Sequence, residues 1–116
     1  MNGRYSPLPT YPSLGEYILI ETTTFENLSA SSGDGVEQTK SADKKTGYRL
    51  IGIAGYDCKA SASSGSNPDR ASFFRVTYTE GDTTQGATTD TILIGFRANA
   101  ALKVDVDVYL IYFKIT

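Results

Sequence analysis

The chain has 116 residues, with eleven basic and thirteen acidic side chains that give a formal charge of −2. Binding to a phosphate backbone needs a basic surface, and the longest basic cluster here is Lys44-Lys45, so the sequence argues against a nucleic-acid partner. The chain contains no His and one Cys, Cys58, which excludes an intrachain disulfide and argues against a zinc site.

Two further features bear on where the chain functions. The longest apolar run, Val108 to Phe113, is far shorter than the roughly 20 residues that span a bilayer. The first residues, Met1 to Arg4, lack the apolar core of a signal peptide. We therefore expect a soluble protein that is not inserted into a membrane and carries no signal peptide, and we expect no cofactor.

The chain begins with a proline-rich segment. Pro7, Pro9 and Pro12 block both helix and central strand and favour an extended conformation. We interpret residues 1–14 as an N-terminal arm or linker; the alternative is an arm that packs through its Tyr and Leu side chains. Residues 15–116 are then a single domain, of a size that buries about two-thirds of its unfolded surface.

From residue 15 onward, strand-like stretches alternate with small polar loops, as is typical of sandwiches and barrels. The predicted strands are Glu16–Phe25, Gly35–Lys40, Tyr48–Lys59, Ser72–Glu80, Thr91–Ala98 and Leu102–Ile115. The many Tyr, Phe, Thr, Val and Ile residues fit a pleated surface, and no 3.6-residue apolar spacing indicates a substantial helix. The sequence therefore predicts one antiparallel all-β domain.

The third predicted strand has apolar residues on both faces and two glycines in its interior. Gly52 and Gly55 predict a bulge or the close approach of a neighbouring strand or subunit. Cys58 is expected to fill core space as a small apolar side chain.

The last predicted strand has two faces of different character. One face is apolar throughout and predicts a core strand: Val104, Val106, Val108, Leu110 and Tyr112. The other begins with charge and ends apolar: Asp105, Asp107, Tyr109, Ile111, Phe113 and Ile115. Contiguous exposed apolar surface usually marks an interface. We therefore predict that Tyr109, Ile111 and Phe113, helped by Phe96, are buried between subunits, with burial inside one chain as the alternative.

Two segments carry a resemblance to a known family: GYRLIGIAG at residues 47–55, followed by a Ser/Asn-rich loop, and ALKVDVDVYLIYFK at residues 101–114. They resemble the C-terminal receptor-binding head domains of bacteriophage tail fibres and baseplate proteins. The resemblance implies a small jelly-roll-like β-sandwich or barrel that assembles as a homotrimer at the phage tail tip. It also implies recognition of a saccharide or protein on the bacterial surface.

Asp105 and Asp107 are the nearest approach to a paired-carboxylate site. They lie on one face of a strand, about 6.6 Å apart by the strand rise, which suits a glycosidase pair or a calcium ion. The interpretation that we favour is a solvated strand end with Lys103 nearby. Because acid–base catalysis needs groups with separated pKa values and His is absent, we predict that the chain is not an enzyme.

Residues 61–70 form a polar loop with side chains suited to saccharides. Asn67, Asp69 and Arg70 offer planar polar groups, and Tyr78 offers an aromatic face. We predict these four residues as a ligand-binding site, against the alternative that every β-domain has polar loops.

Three classes of function fit these observations. The first is the trimeric phage receptor-binding head. The second is a structural virion protein, such as a capsid decoration or neck component, and the third is a carbohydrate-binding module. The first two predict an oligomer, and the third predicts a monomer whose sugar platform uses Tyr in place of the missing Trp.

Overall fold

A computed structural model of the chain describes residues 17–30, 35–60, 71–98 and 102–115. Six strands and one turn of 3-10 helix make up these residues. They are β1 Ile18–Ala30, β2 Gly35–Asp43, β3 Tyr48–Ala60, β4 Ala71–Thr79, the 3-10 turn Thr83–Gln85, β5 Thr89–Ala98 and β6 Leu102–Lys114. All six predicted strands are confirmed, and the predicted arm at residues 1–14 lies outside the described residues.

The six strands form two antiparallel sheets of three strands each. Sheet A has the order β1-β6-β3, and sheet B has the order β2-β5-β4. The last strand in the sequence is therefore the central strand of sheet A, which explains its apolar inner face. Because the two sheets remain separate in the described residues, the closed-barrel alternative is wrong and the fold is a β-sandwich.

The core lies between the two sheets. Its buried side chains come mainly from the two central strands and are Phe25, Leu28, Leu50, Ile92, Ile94, Phe96, Val104, Val106, Val108, Leu110 and Tyr112. The predicted inner face of β6 is confirmed in full, since all five of its side chains are at most 3% exposed. Cys58 packs at the margin of this core, as expected.

Sheet A is irregular at the places where the glycines of β3 lie. The pairing of β3 with β6 shifts between Leu50 and Gly52 and again between Ile53 and Gly55. These two bulges confirm the prediction from the glycines. Bulges also twist an edge strand away from straight pairing, which protects an exposed edge such as β3 from further strand addition.

A third bulge lies in β1, between Phe25 and Leu28. Asn27 adopts a positive φ of 55° there, a conformation that Asn tolerates better than most residues. The Asn27 backbone N–H donates to Asp105 Oδ1 at 2.9 Å. The bulge lets β1 continue to Ala30 although the alternation of its side chains is broken after Phe25, where the sequence predicted the strand to end.

Candidate functional site

The outer side of sheet A carries an apolar band at one end. In the pairing of its three strands, Ile20 lies opposite Ile111 and Ile111 opposite Gly52. The neighbouring row pairs Ile18 with Phe113. We call this surface, together with Tyr17 and Ile51, the apolar band.

The large apolar side chains of the apolar band are substantially exposed to solvent. Ile20 is 50% exposed, Ile51 46% and Phe113 42%. Tyr17 stacks on Phe113, with ring centroids 6.3 Å apart, so the two rings form a continuous aromatic end of the band. A contiguous exposed apolar surface often marks a contact with another macromolecule.

The apolar band ends in a network of charged and hydroxyl groups. Thr24 Oγ1 donates to Asp107 Oδ1 at 2.7 Å, and Lys59 Nζ lies 2.8 Å from Asp107 Oδ2. The hydrogen bond from Lys59 and then that from Thr24 hold the pKa of the Asp107 carboxyl below its ordinary value. Asp105 accepts from the β1 bulge, as described above. Both acids therefore have structural partners, and the described residues contain no cluster of His, Cys, Asp and Glu that could hold a metal ion.

The four residues of the predicted subunit interface differ in how deeply they are buried. Tyr109 and Ile111 are half-buried on the outer side of sheet A, and Phe113 is exposed beside them. Phe96 is completely buried between the sheets, where it stacks with Phe73 at 5.7 Å between ring centroids. The prediction that Phe96 helps a contact between subunits is wrong, because its alternation in β5 points it into the core of its own chain.

The predicted saccharide site is described only at Tyr78. Tyr78 packs against the core from the inner side of β4, close to the end of that strand. Ala71 begins β4, and seven residues of strand, about 23 Å, separate it from Tyr78. Asn67, Asp69 and Arg70 precede Ala71 in the chain and lie outside the described residues.

A polar cleft opens at the end of the sandwich where β2 connects to β3 and β4 to β5. It has a volume of about 620 Å³, and Lys44, Arg49, Glu80, Asp82, Asp90 and Tyr112 are among its lining residues. A second cavity of about 330 Å³ adjoins it through Lys44 and Tyr112. The cleft therefore lies where loops from both sheets meet over the end of the core.

A buried carboxylate organises the cleft. Asp90 is 2% exposed, and its Oδ1 accepts from Lys44 Nζ at 2.7 Å and from the Gly81 backbone N–H at 2.9 Å. Gly81 has no room for a side chain, since a Cβ atom there would lie 2.1 Å from the Thr89 carbonyl oxygen. Asp90 thus ties the β2–β3 and β4–β5 connections to the start of β5.

A second ion pair lies at the mouth of the cleft. Arg49 donates through Nε and Nη2 to both carboxylate oxygens of Glu80, at 2.9 to 3.2 Å, and this hydrogen bonding raises the pKa of the Arg49 guanidinium. Asp82 accepts from the backbone N–H and the hydroxyl of Thr84, which lowers the pKa of the Asp82 carboxyl. Deeper in the cleft, burial raises the pKa of Tyr112, with smaller contributions from Asp90 and Glu21.

The charged groups of the cleft are paired with one another, which limits their availability to bind a ligand. A ligand that binds there has to compete with the Lys44–Asp90 and Arg49–Glu80 pairs for the same donors and acceptors. The cleft was not found from the sequence, because its paired residues are 46 and 31 positions apart and no spacing motif joins them. Asp90 in particular was left outside the predicted strand Thr91–Ala98, whereas it is the second residue of β5.

No helix in the described part of the chain is long and apolar enough to cross a membrane. No family model, curated protein or solved structure matches the chain.

Proposed function

We propose that the chain is a receptor-binding head domain of the bacteriophage tail type, which assembles as a homotrimer through the outer side of sheet A. In this proposal it acts at the tail tip and binds a saccharide or protein on the bacterial surface. The observation that carries the proposal is the apolar band, in which Ile20, Ile51 and Phe113 are 42–50% exposed. The resemblance of residues 47–55 and 101–114 to such heads supports the same function.

A second copy of the chain is the occupant that fits the apolar band best. The band lies on the central strand and both edge strands of one sheet, so it offers a broad surface rather than a groove for a single peptide. Closed symmetric assembly of identical chains is the commonest way in which soluble proteins cover such a surface. Asp107 and Lys59, which lie at the end of the band, would then mark the rim where the contact meets water.

The strand order supports a reduced jelly roll as the finer description of the fold. β1 pairs with β6 in one sheet and β2 pairs with β5 in the other. β1 and β2 are thus consecutive strands in different sheets, and so are β5 and β6, which is the alternation between sheets that a jelly roll shows. A jelly roll has eight strands in two Greek keys, and in this proposal the chain retains six of them.

Light scattering coupled to size-exclusion chromatography tests the assembly. The wild-type chain is expected to elute with the mass of three copies, and Ile111→Asp, which puts a charge in the middle of the apolar band, is expected to elute as a monomer. Leu93→Asp is the matched control, because Leu93 occupies the half-buried outer position on the central strand of sheet B. A monomeric wild-type chain, or loss of assembly in both variants, would contradict the proposed contact.

Competition for phage adsorption tests the receptor-binding part. The purified chain is expected to reduce adsorption of the phage or prophage particle that carries it, because it occupies the same receptor. A chain that assembles but neither competes for adsorption nor binds any glycan on an array would reject receptor binding.

A structural virion protein is the second candidate, and one observation favours it. The charged groups of the cleft are paired internally, as expected of a surface built for rigidity rather than for a ligand. This candidate predicts the oligomer without competition for adsorption, so the two experiments together separate it from the receptor-binding head.

A further inference from the structure

The outer side of sheet B carries one exposed aromatic ring, that of Phe74. Within the described residues, seven large apolar side chains are more than 40% exposed, and only Phe74 belongs to sheet B. Its ring is 48% exposed. Its surroundings differ from those of the apolar band, because most of its neighbours are charged, small or hydroxyl-bearing.

Two glycines on neighbouring strands fix the position of the Phe74 ring. The pairing of β4 with β5 shifts between Phe73 and Arg75, so that Phe74 stands out of the sheet in a bulge beside Gly95. A Cβ atom on Gly95 would lie 2.6 and 2.8 Å from two carbons of the ring, and one on Gly35 would lie 3.3 Å from it. The ring therefore packs directly on the backbone of these glycines. Any side chain at position 95 would displace the ring from this position.

Charged groups surround this ring. The guanidinium carbon of Arg97 lies 5.2 Å from the ring centroid, within the range of a cation–π contact. Arg75 Nη1 lies 3.3 Å from Glu37 Oε2, and both side chains are about half exposed. Glu37 and Arg75 both pair with Gly95, one from each side, so they flank the glycine beneath the ring.

The charges that the described residues bring to this surface are unequal. Among them, two guanidinium groups, those of Arg75 and Arg97, stand against the single carboxylate of Glu37. Among the ion pairs of the described residues, Arg75 takes part in one, whereas the contact of Arg97 is with the ring. Within the described part of the chain, the surface thus combines an apolar ring face with an excess of one positive charge, and it is preorganised, because its parts are held by backbone and by one another.

We propose that Phe74, Arg97 and Arg75 form a binding site for an acidic saccharide, with a hexuronate as the simplest member of the class. The C–H groups of a sugar ring pack against the face of an aromatic ring, which supplies apolar contact without demanding one orientation. A guanidinium binds a carboxylate through two parallel hydrogen bonds, which fixes that orientation. Neutral sugars satisfy the first requirement and fail the second.

This inference deepens the proposed function, since it names the class of ligand, and it rests on that function only in locating the ligand on a bacterial surface. The two surfaces are on opposite sides of the sandwich. Assembly through sheet A therefore leaves the Phe74 surface facing outward on every subunit.

Titration of the full chain with trigalacturonate, followed by amide chemical shifts in NMR spectra, tests the proposal. The amides of Gly35, Gly95 and Arg97 are expected to shift on addition of trigalacturonate and to remain unshifted with maltotriose, a neutral sugar of equal length. Phe74→Leu and Arg97→Gln are each expected to weaken binding about tenfold, the loss of one stacking contact or one charge-assisted hydrogen bond. Tyr56→Leu is the matched control, an exposed aromatic residue on the other sheet and outside the apolar band, and is expected to bind as the wild type does.

Three outcomes would overturn the proposal. They are equal shifts with maltotriose, shifts that persist unchanged in Arg97→Gln, and no shifts at all in a chain whose spectrum shows it to be folded. The mass of each variant in solution is measured on the same samples. A monomeric chain that still binds trigalacturonate overturns the assembly alone, and a trimer that does not bind it overturns the saccharide site alone.

Discussion

The outer sides of the two central strands carry different chemistry on the same scaffold. β6 presents Tyr109, Ile111 and Phe113 to the outside of sheet A. The matching positions of β5 in sheet B present Thr91, Leu93, Gly95 and Arg97. Both strands bury their inner sides in one core, so core packing does not demand this difference.

The difference shows what each outer side is suited to contact. Apolar side chains that are contiguous on an outer side, as in the apolar band, usually mark a surface that contacts a partner. The outer side of sheet B has hydroxyl and charged groups that water satisfies, apart from one ring held on glycine. Three sets of substitutions break or sharpen this comparison, beginning with the largest expected effect.

Phe96→Ala tests the core between the sheets. Phe96 lies in that core, whereas Phe113 lies on the outer side of sheet A and Phe74 on the outer side of sheet B. Because Phe96 is fully buried, we expect it to cost about 3–5 kcal/mol of unfolding free energy, as measured by urea denaturation. Phe113→Ala is expected to cost less than about 1 kcal/mol in the monomer while making the melting temperature less dependent on protein concentration. Equal losses in the two variants would mean that the apolar band is part of the core.

Gly95→Ala and Gly52→Ala are a matched pair of glycine replacements on the two outer sides. At Gly95 the new methyl group collides with the Phe74 ring, and we expect a loss of about 1–3 kcal/mol in urea denaturation. At Gly52 the nearest atom is Ile111 Cδ1 at 4.0 Å, an ordinary contact, so the change is expected to stay within about 0.5 kcal/mol. Combining Gly95→Ala with Phe74→Ala is expected to recover part of the loss, and no recovery would rule out the ring as its cause.

Asp107→Asn tests whether the ionised carboxylate at the end of the apolar band stabilises the fold. It has the smallest expected effect on stability of the three sets. The pKa of Asp107 is lowered in the folded chain by Lys59 and Thr24, so its carboxylate contributes stability above its ordinary pKa of 3.8. That contribution is lost as the pH falls through the lowered folded value. The variant is therefore expected to be less stable than the wild type at neutral pH, with the difference disappearing in acid, in thermal melts from pH 7 to pH 2. A difference that is constant over this range would exclude the ionised carboxylate as its source.

Much of the fold follows from local patterns in the sequence. Alternation identified every strand and the two faces of β6, because a strand with one side in a core needs apolar residues at every second position. The glycines of β3 indicated its bulges. β1 was predicted too short because the bulge at Asn27 changes the spacing of buried residues from two to three, from Phe25 to Leu28.

What the sequence could not indicate depends on contacts between distant residues. Asp90 was interpreted as a loop residue, since nothing local marks it as the buried partner of Lys44. Phe96 was assigned to an interface and Tyr78 to a ligand site, although both point into the core. The direction of these two side chains depends on the sheet that β4 and β5 join and on the register of their pairing. A short stretch of sequence encodes neither the sheet nor the register. Phe74 drew no attention for the same reason, because its exposure depends on Gly95, 21 positions further along the chain.

The pairing of β1 with β6 affects how the chain folds during its synthesis. Ile18 pairs with Phe113, so β1 meets its neighbour only after all the strands between them have been synthesised. β3 also pairs with β6, so neither edge of sheet A has a partner until then. Closing such long loops makes folding slow, and during synthesis the apolar strands β1 and β3 remain without the partner that covers them. A nascent chain arrested before residue 102 is therefore expected to bind chaperones more strongly than one in which β6 has emerged from the ribosome.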